Sequence, residues 1–284
     1  MQHDLTGKVC VVIGGGQTEA KYEGLGIGNG RATAIDFARH GAKVVVAAYH
    51  QERAQATVDM IKEEGNEAVA IGMDCSKLED VKRLYDFAKE TYGRIDFVVY
   101  NVGVNPNIKL GEEYITDEDW VWTMKTNLRG YEFCAHEILP YFKENGIQGG
   151  AMVAISSISS LISGTAGNPA TLAYGLSKRG INMITNNYAV IGAPDNIRFN
   201  VVILGSVATP MATQGIMDMF HLEREQVEAI HAGGVPLKGE RRGNGWDCAD
   251  AAIFLADSPF ITGAELVVDG GTTAFRGYTA PRPA

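Results

Sequence analysis

Short β-branched and apolar runs alternate with longer amphipathic stretches along nearly the whole of this 284-residue chain, and few folds satisfy that alternation. The apolar runs fall at 8–13, 43–48, 67–72, 95–100, 151–156, 197–204 and 264–269. They are nearly continuous in apolar character, as a strand covered on both faces requires because neither side meets water. Between them the helical period predicts helices at 29–41, 51–65, 77–92, 117–144, 174–192 and 246–256. Strands and helices taking turns are βαβ units, so the expected fold is α/β, a doubly wound parallel sheet with helices on both faces. Only 205–245 breaks the rhythm. There Gly205, Pro210, Gly215, Gly233, Gly234 and Pro236 punctuate two short helical patches, which we read as a substrate lid. No Pro- or Ser-rich linker divides the chain, so residues 1–284 are expected to form one domain.

Composition narrows the function. A chain with 45% hydrophobic and 21% charged residues can bury a substantial core. Its net charge of -9, without a basic run, gives no footprint for nucleic acid or an anionic membrane, so a small-molecule substrate is expected. Residues 1–8 lack the blocks of a signal peptide and no apolar run reaches membrane-spanning length, which predicts a cytoplasmic protein. The four cysteines, Cys10, Cys75, Cys134 and Cys248, show neither Cys-x-x-Cys nor zinc-ligand spacing. They read as free thiols, and no metal site is expected.

The first motif with chemistry in it follows the first strand. Gly14-Gly15-Gly16 is separated by Gln17-Thr-Glu-Ala-Lys-Tyr-Glu23 from Gly24-Leu-Gly-Ile-Gly28-Asn29-Gly30, which opens a helix. Glycines at such a turn let backbone approach a pyrophosphate, and the free N–H groups of the helix start stabilise its charge. Alone the cluster is a weak signal; its place between a first strand and a helix strengthens it. A second constellation comprises Ser156-Ser157 after the fifth strand, Tyr174 and Lys178 four apart on one helical face, and Asn127 in the preceding helix. A lysine beside a phenol favours phenolate and brings the acid toward working pH, and Ser157 could hydrogen-bond a substrate oxygen.

These landmarks occur in an order that resembles the short-chain dehydrogenase/reductase family over nearly the whole chain, from Gly7-Lys8 to Asp269-Gly270-Gly271. The glycine loop, Asp74, Asn101-Val102-Gly103, Asn127, Ser157, Tyr174 with Lys178, and Thr209-Pro210-Met211 carry the likeness. The resemblance implies a Rossmann-type seven-stranded parallel sheet, usually a homotetramer, and an NAD(P)-dependent oxidoreductase interconverting a secondary alcohol and a ketone. It implies Tyr174 as general acid/base, with Lys178 binding the nicotinamide ribose and lowering the phenol's pKa. Ser157 would polarise the carbonyl and Asn127 would hold a relay water. The cofactor would meet Gly14, Gly28, Asn29, Gly30, Tyr49, Asp74, Cys75, Asn101, Gly103, Tyr174, Lys178, Val207 and Thr209.

Departures from the family pattern sharpen some expectations and loosen others. Ile13 replaces the usual threonine, and the segment 17–23 stretches the glycine spacing, so which glycines touch phosphate is open. Ser159, Ser160 and Ser163 crowd the loop after Ser157. At the end of the second strand an acid would bind the ribose hydroxyls of NAD, but Ala48 stands there, followed by Tyr49-His50, which favours NADP slightly over NAD. Arg31, Arg53 and Lys21 are the cations within reach of a 2′-phosphate. Two other functions fit the fold: a dinucleotide-sensing protein without catalysis, and a carrier-protein-linked 3-oxoacyl reductase. The intact catalytic set argues against the first. The balance of Arg129 and Lys143 against Glu132, Glu137 and Glu144 argues against docking an acidic carrier. In the lid, Met211, Met217, Met219 and Phe220 suit a hydrophobic or cyclic substrate. The tail 272–284, with Phe275, Arg276 and Tyr278, is expected to pack on a neighbouring subunit.

Overall fold

The computed structural model describes residues 3–106, 114–162, 169–237 and 242–275, without the side chains of residues 169, 170 and 219. Ser163, residues 238–241 of the expected lid, and tail residues 276–284, including Arg276 and Tyr278, lie outside the described residues.

Seven parallel strands form one sheet in the order β3-β2-β1-β4-β5-β6-β7. They are β1 (Val9–Ile13), β2 (Lys43–Ala48), β3 (Ala68–Gly72), β4 (Phe97–Tyr100), β5 (Gly150–Ser157), β6 (Ile197–Leu204) and β7 (Glu265–Val268). All five residues of β1 are buried, as a central strand with helices on both faces demands. At the edge, β7 alternates exposed and half-buried residues. Helices α1 (Asn29–Arg39), α2 (Gln51–Glu63), α3 (Leu78–Tyr92) and α10 (Gly245–Asp257) fall within two residues of the sequence expectation at either end. One apolar cluster fills the space under α1, α2 and α10, and a second lies on the opposite face beneath α3, α5 (Gly130–Glu137) and α7 (Pro169–Gly192).

Two helical expectations need correction. The stretch 117–144 is not one helix but α4 (Asp117–Thr123), a π-helical segment Met124–Arg129, α5 (Gly130–Glu137) and α6 (Leu139–Lys143). A π turn inserts one residue into the helical ladder, and Pro140 removes a donor near the start of α6. Helix α7 begins at Pro169, not at 174, with proline at its first position, where the missing N–H would have no partner anyway. The two helical patches of 205–245 are α8 (Pro210–Phe220) and α9 (Arg224–Gly233).

The end of the sheet away from the strand C-termini is fixed by a buried carboxylate. Asp96 accepts hydrogen bonds from the Val9 N–H at 3.0 Å, from Arg94 Nε at 2.8 Å and from Lys8 Nζ at 3.2 Å. Asp96→Ala is expected to lower the unfolding free energy by about 2–4 kcal/mol, because it strands a buried N–H and two cations. Denaturant titration would measure this. Dinucleotide affinity in the same variant should be unchanged, since the C-terminal ends of the strands are untouched.

Candidate functional site

The strand order reverses direction between β1 and β4, and in open parallel sheets the crevice at such a switch point takes ligands. A cavity of about 950 Å³ opens there. Its floor is the turn after β1. Gly14 adopts φ +84°, and a Cβ on it would come within 3.0 Å of the Asn101 backbone. Gly30 in α1 packs so closely that a Cβ would sit 2.0 Å from the Gly14 carbonyl oxygen. Asn101 ties the two strands together, its N–H donating to the Ile13 carbonyl at 2.8 Å and its side-chain amide to that of Gly14 at 3.3 Å. Beside them, Asn29 lines the cavity and its buried Oδ1 has no partner among the described residues. Gln17 was not singled out by sequence reasoning, yet it accepts from the Gly28 N–H at 2.8 Å and lines the same wall.

All thirteen residues expected to meet a cofactor line this one cavity. Ala48, Tyr49, His50 and Arg53 border it after β2. Of the three candidate cations, Arg53 alone lines it; Arg31 is turned to Thr57 at 3.0 Å, and Lys21 is paired with Asp218. After β3, the Asp74 carboxylate accepts from the N–H and hydroxyl of Ser76 at 3.0 and 2.7 Å, and the buried Cys75 thiol accepts from the Tyr100 hydroxyl at 3.6 Å. Burial pushes that thiol up to about 11, so it is no thiolate. All four cysteines are free and buried. Met73, Trp122, Lys125 and Thr126 also border the cavity, and the last three are invisible to motif reading because they depend on where α4 and the π-helical segment lie.

At the other end stand the end of β5, the start of α7 and the loop after β6. Ser157 is the last residue of β5; its hydroxyl accepts from the Ser159 N–H at 3.2 Å. Tyr174 and Lys178 sit one turn apart on α7, with the lysine Nζ 5.7 Å from the phenol ring centre. Lys178 is 3% exposed, and its ammonium donates to the carbonyls of Val102 and Ile155, each at 3.0 Å. Burial draws its pKa down from 10.5 to about 8. Burial also raises the Tyr174 phenol, while a hydrogen bond with Ser157 pulls it down. The net direction is upward because burial is the larger cause. Val207 and Thr209 complete the wall, Thr209 also capping α8 through the Ala212 N–H at 3.3 Å.

Asn127 does not line the cavity. It lies fully buried in the π-helical segment, accepts from the Val104 N–H at 2.8 Å, and donates to the Val104 carbonyl and the Ser177 hydroxyl at 2.9 and 3.0 Å. Both amide hydrogens are used, so the side chain fastens the loop after β4 and has no donor left for a water. The lid residues also divide. Met211 lines the cavity, whereas Met217 is packed with Leu25 and Val227, and half-exposed Phe220 is not part of the wall. The side chain of Met219 is outside the described residues.

Comparison with known proteins agrees with this geometry. The family model described as enoyl-(acyl carrier protein) reductase matches residues 24–273. L-rhamnose 1-dehydrogenase (NAD(P)(+)) of Azotobacter vinelandii is 33% identical over 254 residues, 87% of this chain and 93% of that one. Glucose 1-dehydrogenase 2 of Bacillus subtilis is 30% identical over 277 residues, 97% of this chain and 98% of that one. A crystal structure described as a short-chain dehydrogenase/reductase from Burkholderia xenovorans matches with TM-score 0.85 at 30% identity, covering 96% of this chain and 99% of that one. Among the described residues, no helix is long and apolar enough to cross a membrane.

Proposed function

The chain belongs to the short-chain dehydrogenase/reductase family, and on that premise we propose that it interconverts a secondary alcohol and a ketone with a nicotinamide dinucleotide, Tyr174 moving the proton. One observation carries this reading: the hydroxyls of Ser157 and Tyr174 meet at one end of the cavity, with the Lys178 ammonium beside the phenol. The cavity fits the cofactor. Glycines 14 and 30 leave a floor of bare backbone, and the Asn29 oxygen faces no donor among the described residues.

When bound, the nicotinamide supplies or accepts the hydride. In the reductive direction Tyr174 gives its proton to the carbonyl oxygen while the Ser157 hydroxyl donates a hydrogen bond to the same oxygen. Lys178 holds its positive charge near the phenol, which favours the phenolate as the proton leaves. Asn127 acts as a positioning residue through Val104. Met211 and Pro210, set against the Ser157, Tyr174 and Ser206 hydroxyls, suit a ring that offers one apolar face and one polar edge. A cyclic secondary alcohol, such as the sugars in the names of the relatives, meets that description.

For the dinucleotide, Ala48 leaves no carboxylate against a ribose, and Arg53 has no ion-pair partner among the described residues, which favours NADP(H) over NAD(H). Ala48→Asp is expected to shift the ratio of catalytic efficiencies toward NAD by about 10- to 100-fold, through repulsion of a 2′-phosphate and new hydrogen bonds to the ribose. Arg53→Ala should weaken NADPH binding by about tenfold and leave NADH binding alone. Unchanged ratios in both variants would remove the reading of this rim. A carrier-linked acyl substrate is the second reading, favoured only by the description of the family model. It requires a basic docking face, whereas Arg129 is paired with Glu132 and Lys143 with Asp195.

A further inference from the structure

The segment that stretches the glycine loop is anchored at both ends. Gln17 accepts the Gly28 N–H at 2.8 Å. Only the amide oxygen can accept, so the Gln17 NH₂ is the end left for the cavity it lines. Beyond Thr18, which also lines the cavity, each anchor is on α8 or α9. Gln214 grips the segment's backbone twice, accepting from the Lys21 N–H at 3.1 Å and donating to the Glu19 carbonyl at 3.2 Å. Asp218 takes the Lys21 ammonium and the Tyr22 hydroxyl, the latter at 2.9 Å. Arg224 reaches the Gly24 carbonyl at 3.5 Å, and Leu25 is buried with Met217 and Val227.

These contacts differ in weight. The Lys21–Asp218 pair is exposed, so it contributes little by itself. Gln214 is 7% exposed and Leu25 4%, so releasing them would strand a buried amide and expose an apolar side chain. The segment therefore cannot move at its Gln17 end without either stretching or carrying α8 with it. The start of α8, Pro210–Ala212, lines the same cavity.

We propose that residues 17–24 are a strap coupling occupancy of the pyrophosphate part of the cavity to the packing of α8 and α9, with Gln17 touching the pyrophosphate and Gln214 positioning the strap. This rests on the dinucleotide reading above. Coupling of this kind is reciprocal: a ligand that fixes Gln17 stabilises α8 and α9, and loosening the strap weakens the ligand.

ADP-ribose separates this route from direct contact, because it carries the adenosine and pyrophosphate but no nicotinamide to touch Thr209. Amide hydrogen exchange would be followed in residues 212–233 with and without ADP-ribose or its 2′-phosphate, and dinucleotide binding measured by NADPH and NADH fluorescence. In the native sequence the probe should slow exchange in α8 and α9 by about fivefold or more. In Gln214→Met the slowing should disappear while the probe still binds, about 3- to 10-fold more weakly, and in Lys21→Met/Tyr22→Phe, which leaves the Gln214 grip and the buried face of α8 intact, the slowing should fall only in part. Gln17→Glu should weaken ADP-ribose by about tenfold or more through charge repulsion and leave adenosine binding unchanged. Equal slowing in the native protein and both strap variants, or bound probe with no slowing in the native protein, overturns the strap. Failure of the native protein to bind NADPH, NADH or ADP-ribose would instead overturn the dinucleotide reading itself.

Discussion

Replacing Tyr174 by phenylalanine is expected to lower kcat by a factor of about 10² to 10⁴, the range for losing a positioned proton donor, while dinucleotide affinity changes little. The substitution deletes one oxygen and keeps the ring, so packing at the start of α7 survives. Burial raises the phenol above its ordinary pKa, with Ser157 the opposing influence. The neutral hydroxyl therefore dominates the resting site, ready to donate to a carbonyl oxygen but needing help to accept a proton from an alcohol. Ketone reduction should accordingly keep its rate at lower pH than alcohol oxidation, which needs the phenolate. Ser157→Ala removes a hydrogen bond that opposes the effect of burial, so it should move the oxidation profile to higher pH. Near-normal kcat in Tyr174→Phe, measured by dinucleotide absorbance, would remove Tyr174 from the chemistry.

Lys178→Met should reduce kcat by about 10²-fold or more, yet leave the fold as stable as before at neutral pH or more stable by up to about 2 kcal/mol. The two effects share one cause. The ammonium is buried against the Val102 and Ile155 carbonyls, and burial takes its pKa from 10.5 to about 8. Below about pH 8 both folded and unfolded lysines are protonated, so the cost of burying the charge is fully present. Between there and the unfolded value of about 10.4 the folded lysine has lost its proton and the unfolded one has not, so stability rises with pH. That cost is on the order of 3 kcal/mol, offset in part by the two carbonyl hydrogen bonds that the variant loses. The stability advantage of Lys178→Met should therefore shrink as pH rises through this window. An advantage independent of pH would mean that Lys178 is neutral or well solvated in the folded protein.

The strands were legible because a strand buried on both faces writes an uninterrupted apolar run, as in Val9–Ile13 and the Val201–Leu204 half of β6. The break in 117–144 was not, because apolar periodicity resumes after a π turn with its face rotated, which looks like a broad apolar stripe. The cofactor wall was legible through family landmarks that fix both residue type and order. Its strap was not: Gln17 acquires its meaning from Gln214 and Asp218, about two hundred positions away, contacts set by how α8 packs. Met211 and Met217 illustrate the same limit. They are six positions apart on one helix and identical in chemistry, but one faces the cavity and the other a small core with Leu25. The direction of the Tyr174 shift also lay beyond sequence, since it depends on how deeply the fold buries the phenol.

Deuterium tracing tests the central claim most directly. The native protein would be incubated with oxidised NADP and, separately, NAD, against a panel of aldoses deuterated at C1 and cyclic secondary alcohols deuterated at the carbinol carbon. The dinucleotide would then be recovered for mass spectrometry. The account predicts deuterium in the nicotinamide ring for at least one member of the panel, with NADP labelled faster than NAD, and labelling slowed by about 10²-fold or more when Tyr174→Phe replaces the native protein under the same conditions. Deuterium transferred equally well by Tyr174→Phe, or a dinucleotide that binds and stays unlabelled across the panel, would contradict it.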